Sequence, residues 1–240
     1  MVKPLNILFY ENGDPMEYRC IERSLRAFPR GYWKVVRKVI ERTRYGLDEK
    51  TFSLNVAELL RSFKMTRAGA FQGLSVNHVS KPDDKEARAA VDLCWKSIGT
   101  ELCKLKRYVH KNVRGKRSRV LVELSLEAEE RTVKTISSLF RQLSEIKVKN
   151  KLGGLSKVKR VGASKILFAV IPEIALPVDT SEWDNVFCTK EDYGEVLLKM
   201  VSEIKQWEKM SKKRLDEVDQ HSMTTLPAIY NVLAMAARPL

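Results

Sequence analysis

The sequence predicts a mainly α, multi-helical fold. Three observations carry this. Apolar residues recur at helical spacing over long stretches, most extensively from 84 to 112. The one strand candidate is short, Val120-Leu121-Val122. Apolar residues make up 44% of the 240 residues, enough for a packed core.

The elements follow in chain order. Residues 1–16 hold a short apolar run, Leu5 to Tyr10, and then Asn12-Gly13-Asp14-Pro15, a turn signal. Residues 17–46 predict two helices split at Pro29-Arg30-Gly31, because Trp33, Val36, Val39 and Ile40 share one helical stripe. Leu54, Ala57, Leu60 and Phe63 mark the next helix. The stretch SLNVAELLRSFKMTRAGAF fits the outline of a helix-turn-helix, with helices at 54–62 and from Thr66, the second presenting Arg67 and Gln72 to a groove. An ordinary helical hairpin followed by a loop is the competing reading.

Lys81-Pro82-Asp83-Asp84 is the expected boundary between an N-terminal helical region, 1–80, and a helical domain, 81–240. A long helix over 84–112 follows, with Ala87, Val91, Cys94, Ile98, Leu102, Leu105 and Val109 on one side. Leu126, Val133, Ile136, Leu139, Phe140, Leu143 and Ile146 repeat at helical spacing up to the break at Gly153-Gly154. A short helix near 155–159, a Val161-Gly162 turn, a helix over 163–171, an irregular Pro172–Pro177 segment and helices over 190–219 and 224–237 complete the chain.

The net charge is +14, and it is localised. Residues 104–119 hold eight basic residues and no acid: Lys104, Lys106, Arg107, Lys111, Arg114, Lys116, Arg117 and Arg119. Residues 147–165 hold seven, among them Lys157, Lys159, Arg160 and Lys165. The rest of the chain has a net charge of −1. Clustered cations neutralise phosphates and release counterions, so the expected partner is DNA or RNA. A solvated surface is the alternative. No run reaches the ~18 apolar residues of a membrane span. The apolar patch at the N-terminus is too short for a signal peptide, so the expectation is a cytoplasmic protein without a membrane partner. A homo-oligomer is compatible with the sequence.

Residues 155–183 read LSKVKRVGASKILFAVIPEIALPVDTSEW. This order of basic helix, Val-Gly turn, apolar helix and Pro-Val-Asp-Thr resembles a helix-hairpin-helix module. It is similar to the segment of the helix-hairpin-helix DNA glycosylases that ends in Val-Asp-Thr, and to uncharacterised prokaryotic proteins sharing that half. The resemblance implies a phosphate grip at Gly162, where backbone N–H groups and a helix N-terminus face the anion. It also implies a catalytic role for Asp179, stabilising a cationic sugar or activating water. Three departures stand: Arg160 replaces the first hairpin glycine, Ser164 occupies the position of the nucleophilic lysine, and the spacing from Gly162 to Asp179 is short. Asp179-Thr180-Ser181-Glu182 is equally a helix-capping sequence, and for Asp179 that reading is preferred.

Other chemistry is limited. Arg214 and His221 form an R-x6-H pair, a spacing similar to that of HEPN ribonucleases. Cys20, Cys94, Cys103 and Cys188 form no CxxC pair and are expected to be reduced thiols. His78, His110 and His221 cannot build a His-rich metal site, so no metal and no cofactor is expected. No P-loop, Rossmann or nucleophile-elbow pattern occurs. The expectation is a nucleic-acid-binding protein that grips the phosphate backbone without strong sequence specificity. The alternatives are a HEPN-like ribonuclease, a glycosylase-like repair enzyme and a non-catalytic interaction module.

Overall fold

The computed structural model describes residues 5–44, 46–67, 69–74, 85–113, 117–149, 153–189, 192–218 and 224–237. Among them the chain is mainly helical: α1 (Tyr18–Ala27), α2 (Arg30–Thr43), α3 (Glu49–Ser62), α4 (Lys85–Asn112), α5 (Val120–Glu123), α6 (Leu126–Glu145), α7 (Lys159–Val170), α8 (Thr180–Glu182), α9 (Tyr193–Ser211) and α10 (Leu226–Ala236). One antiparallel hairpin, β1 (Lys147–Lys149) with β2 (Leu155–Lys157), lies between α6 and α7.

Local sequence sets several helix starts. Pro29 precedes α2 with φ −55°, an angle its ring enforces. Asp48 caps α3 by accepting from the Thr51 N–H at 2.7 Å. Ser125 caps α6, and Asp192 caps α9 by accepting from Gly194 and Glu195. The turn at residues 12–15 forms as expected, with Gly13 at φ +86° and Phe9 bridged to Pro15.

α7 runs through the centre. It packs on α3, α6 and α2, and every residue from Gly162 to Val170 is buried. From Ile166 to Val170 the helix is apolar on all sides, which suits such a place, while Ser164 and Lys165 are buried with polar partners. The irregular stretch 171–178 that follows is also buried, so its backbone groups need partners. Side chains supply them. Thr225 donates to the Pro172 carbonyl at 2.7 Å, and Asn231 donates to the Pro177 carbonyl at 2.7 Å. The Tyr193 hydroxyl bonds both the N–H and the carbonyl of Leu176 at 2.8 Å. Ser164 accepts from Val178 N–H at 3.1 Å.

The N-terminal residues fold back on α9. Glu203, buried there, accepts from the N–H groups of Ile7 and Leu8 and from the Tyr230 hydroxyl. Trp207 donates to the Met16 carbonyl at 2.9 Å. With α1 against α10 and α3 against α7, residues from both sides of 81–84 meet in a continuous core. The boundary sequence itself, 81–84, lies outside the described residues.

Several sequence expectations are corrected. No second α-helix follows α3 in the described residues up to Leu74: Met65–Arg67 and Gly69–Phe71 are single 3₁₀ turns, the second opening at left-handed Gly69 with φ +77°. The helix-turn-helix is therefore not formed there. Val120-Leu121-Val122 opens the short helix α5 rather than a strand, with Val120 and Leu121 buried. Leu126 is 72% exposed at the start of α6, outside the buried stripe. The predicted short helix at 155–159 is strand β2, followed by the turn into α7. Its residues alternate outward and inward, as LSK opposite KVK requires.

Candidate nucleic-acid interface

The second basic window is built on the β-hairpin. Its register pairs Lys147 with Lys157, Val148 with Ser156 and Lys149 with Leu155. Successive side chains point to opposite faces. Val148 therefore goes into the core, while Lys147, Lys149, Lys157 and Leu155 face solvent together. Leu155 is 73% exposed among these lysines. The hairpin rests against α4 and the Gly69–Phe71 turn, which fix its orientation. Glu145 is the carboxylate drawn into this cationic face. Lys157 hydrogen-bonds it at 2.6 Å, and that bond, followed by the Lys157 and Lys147 charges, holds its pKa below the usual value.

The chain reversal after β2 falls at Val158-Lys159, not at Val161-Gly162. Lys159 holds φ +59°, the left-handed region that an L residue occupies at a cost. Its side chain is exposed. Arg160 follows, paired with Asp184 at 2.8 Å and set 5.7 Å from the Trp183 ring. Gly162 sits inside α7 without a positive φ. A Cβ there would come within 2.9 Å of Val158 Cγ1, so the glycine serves close packing, and it is buried rather than open to a phosphate.

The first basic window divides into surface and core. Lys104, Arg107 and Lys111 lie at i, i+3 and i+7 on α4 and are exposed. Lys104 pairs with Glu101 at 2.7 Å, and Arg107 donates to the Cys103 carbonyl at 3.3 Å. Lys106 is buried. It donates to the Val170 carbonyl and lies 3.4 Å from buried Glu173, to which His110 is also bonded at 3.0 Å. Arg119 is buried too, bound to Glu123, Glu208 and Asp216 at 2.7–2.9 Å. Those bonds, Glu208's first, raise its pKa. Lys165 is buried with its ammonium against Asp179 and 4.1 Å from the Phe63 ring. Lys106, Lys165 and Arg119 are thereby removed from the expected interface, because a side chain sealed against protein partners presents no charge to a backbone, and Gly162 is removed because its backbone is buried within α7. Arg114 and Lys116 lie outside the described residues, as does the side chain of Arg117.

The candidate catalytic residues separate in the same way. Asp179 caps α8 in a capping box with Glu182, whose carboxylate accepts the Asp179 N–H at 2.6 Å. This is the arrangement the cap reading expects. Asp179 also meets Lys165, which sequence spacing alone had not paired with it, and its side chain keeps 30% exposure. Behind it runs a buried polar chain. Glu182 accepts from Asn231 at 3.3 Å, and Asn231 accepts from the Tyr32 hydroxyl at 2.9 Å. Burial, and then the Glu182 and Asp179 charges, push the Tyr32 hydroxyl well above its ordinary pKa. Arg214 bonds Asp216 at 3.2 Å and lies close to Glu217 and Glu123. His221 and His78 lie outside the described residues.

Among the described residues, no group of three or more His, Cys, Asp or Glu is placed to hold a metal. No helix there is long and apolar enough to cross a membrane. The cysteines are unbridged, and burial pushes the Cys94 thiol up to about 12. The hairpin stands where the sequence predicts a short helix at 155–159; the signal that could have found it is KVKNKLGGLSK, two alternating runs around Gly-Gly. The buried lysines carry a weaker signal: Lys106 lies four residues after Leu102 and three before Val109 on the buried side of α4, but nothing local indicates the carboxylate that meets it. Compared with protein-family models, with curated proteins and with solved structures, the chain matches none of them.

Proposed function

We propose that this chain binds the phosphate backbone of nucleic acid through the lysine face of the β1–β2 hairpin. The observation that carries the reading is the common outward direction of Lys147, Lys149 and Lys157, with Lys159 exposed at the turn that follows. Three ammonium groups share one exposed face, and they offer point charges rather than the planar forks that read base edges. The contact is therefore electrostatic and independent of sequence. Lys104, Arg107 and Lys111 form a second exposed cationic stripe on α4 that supports the same reading.

The test is a binding titration of the full chain with a duplex and a single strand over a range of salt. If each of the three hairpin lysines neutralises one phosphate, changing them together to Gln flattens the slope of log K against log salt by about 2.7 on B-form duplex. An unchanged slope would remove the hairpin from the interface.

A second reading has its own observation. Asp179 is partly exposed and meets Lys165, so a carboxylate and an ammonium converge at the one place where the sequence resembles the glycosylases. In this reading the Asp179 carboxylate stabilises positive charge on a sugar during base excision. Incubation with duplexes carrying damaged bases decides it. Release of a base by the protein and its loss in Asp179→Asn would support it, and no release from any substrate would dismiss it.

A further inference from the structure

We propose that the groove between α1 and α2 binds a nucleotide unit, a phosphate ester with its planar base attached. The groove has a volume of about 810 Å³, within the ~300–1,000 Å³ of small-molecule sites. No residue of either basic window lines it, so the inference stands apart from the hairpin reading.

Its charge comes from one face of α2. Arg30, Lys34 and Arg37 recur at i, i+4 and i+7 along the groove. Among the described residues none of the three has an ion-pair partner, whereas neighbouring Lys38 is held by Glu58 and Arg26 by Glu22. The groove's own carboxylates, Glu22 and Glu41, leave it with an excess of positive charge. Arg37 adds a third cation to this row, and its Nε is buried without an acceptor among the described residues. A phosphate in the groove would gain charge-assisted bonds from the guanidinium and ammonium groups that line it.

The second half of the ligand follows from the rings. Trp33 and Phe28 both line the groove, their centroids 6.3 Å apart at 70°. The Trp33 indole is fixed by its bond to the Leu25 carbonyl at 3.3 Å. A held, half-buried indole beside unpaired cations offers a stacking surface within reach of a phosphate site. Inorganic phosphate would use only the cations, and a nucleoside only the rings.

The experiment titrates the full chain with AMP, adenosine, inorganic phosphate and a single-stranded dA hexamer, followed by calorimetry. AMP or the hexamer is expected to saturate, with adenosine and phosphate at least about tenfold weaker. Saturation by AMP identifies a free nucleotide as the ligand, and saturation by the hexamer alone identifies a strand in the groove only if it persists in the Lys147→Gln, Lys149→Gln, Lys157→Gln variant; its loss there overturns the inference. Lys34→Gln with Arg37→Gln should weaken binding by about tenfold or more, and Trp33→Leu by a similar factor. Thermal unfolding reports whether each variant is folded, and Trp33→Phe, which keeps a ring, should retain binding if Trp33→Leu unfolds. The hairpin variant Lys147→Gln, Lys149→Gln, Lys157→Gln should bind AMP unchanged, which separates this site from the backbone contact. Failure of both AMP and the hexamer to bind at millimolar concentration overturns the inference. Phosphate binding as tightly as AMP, or full AMP affinity in the Lys34 and Arg37 double variant, overturns it as well.

Discussion

Lys106 and Glu173 face each other at 3.4 Å, their side chains 5% and 4% exposed. One comes from the middle of a basic run on α4 and the other from the irregular buried stretch after α7. A residue that composition would count among surface cations is a core residue here.

Replacing Lys106 by Met should therefore act on stability rather than on nucleic-acid affinity. It leaves buried Glu173 with one cationic partner fewer, and breaking a buried pair costs about 3 kcal/mol. Lys104→Met, two residues away, removes a pair in which both side chains are more than half exposed. It should change stability by less than about 1 kcal/mol. Urea denaturation of the two variants makes the comparison.

Asp179 has two structural roles that substitution can separate. Asp179→Ser retains an oxygen for the cap and removes the charge that meets Lys165. Asp179→Ala removes both. The Ala variant should be less stable than the Ser variant by about 1 kcal/mol, the usual worth of an N-cap. Both should be less stable than the parent, because Lys165 loses its carboxylate within the fold. Equal stability of all three would show that neither role matters to folding.

Lys159 should show stability and binding moving in opposite directions. Glycine accepts φ +59° without the cost an L side chain meets, while losing more freedom on folding. Lys159→Gly is expected to gain about 0.5 kcal/mol by chemical denaturation. The same variant should bind nucleic acid more weakly at low salt, since an exposed cation is gone. Unchanged affinity would place Lys159 outside the contact.

Acid should unfold the protein partly through Asp216. Burial alone would raise its pKa, but the Arg214 and Arg119 hydrogen bonds and charges outweigh this and lower it below 3.8. A carboxyl with a depressed folded pKa contributes stability that is fully present above its unfolded value. The contribution is lost as pH falls from there through the folded pKa. Asp216→Asn should therefore show a shallower loss of urea stability below about pH 4 than the parent does. Parallel profiles would exclude Asp216 as a source of the acid sensitivity.

Much of the helical plan was legible in the sequence. The α4 residues predicted to share a face, from Ala87 to Val109, are all buried, and Pro29 divides α1 from α2 where expected. Helical periodicity is local, and caps such as Asp48 and Ser125 act within one turn, so a single segment carries the information. The hairpin and the turn before α7 were harder, because a short alternating run beside a glycine pair competes with a helix reading of LSKVK.

What the sequence by itself determined is the helical class, most helix positions and the concentration of charge in two windows. Which charges remain outside was decided by the tertiary structure. Lys106, Arg119 and Lys165 meet Glu173, Glu208, Asp216 and Asp179 from distant parts of the chain, while Lys147, Lys149 and Lys157 stay outward through strand pleating. The difference lies in desolvation: a cation enters the core only where the fold delivers a carboxylate to it, and that delivery depends on contacts far apart in sequence.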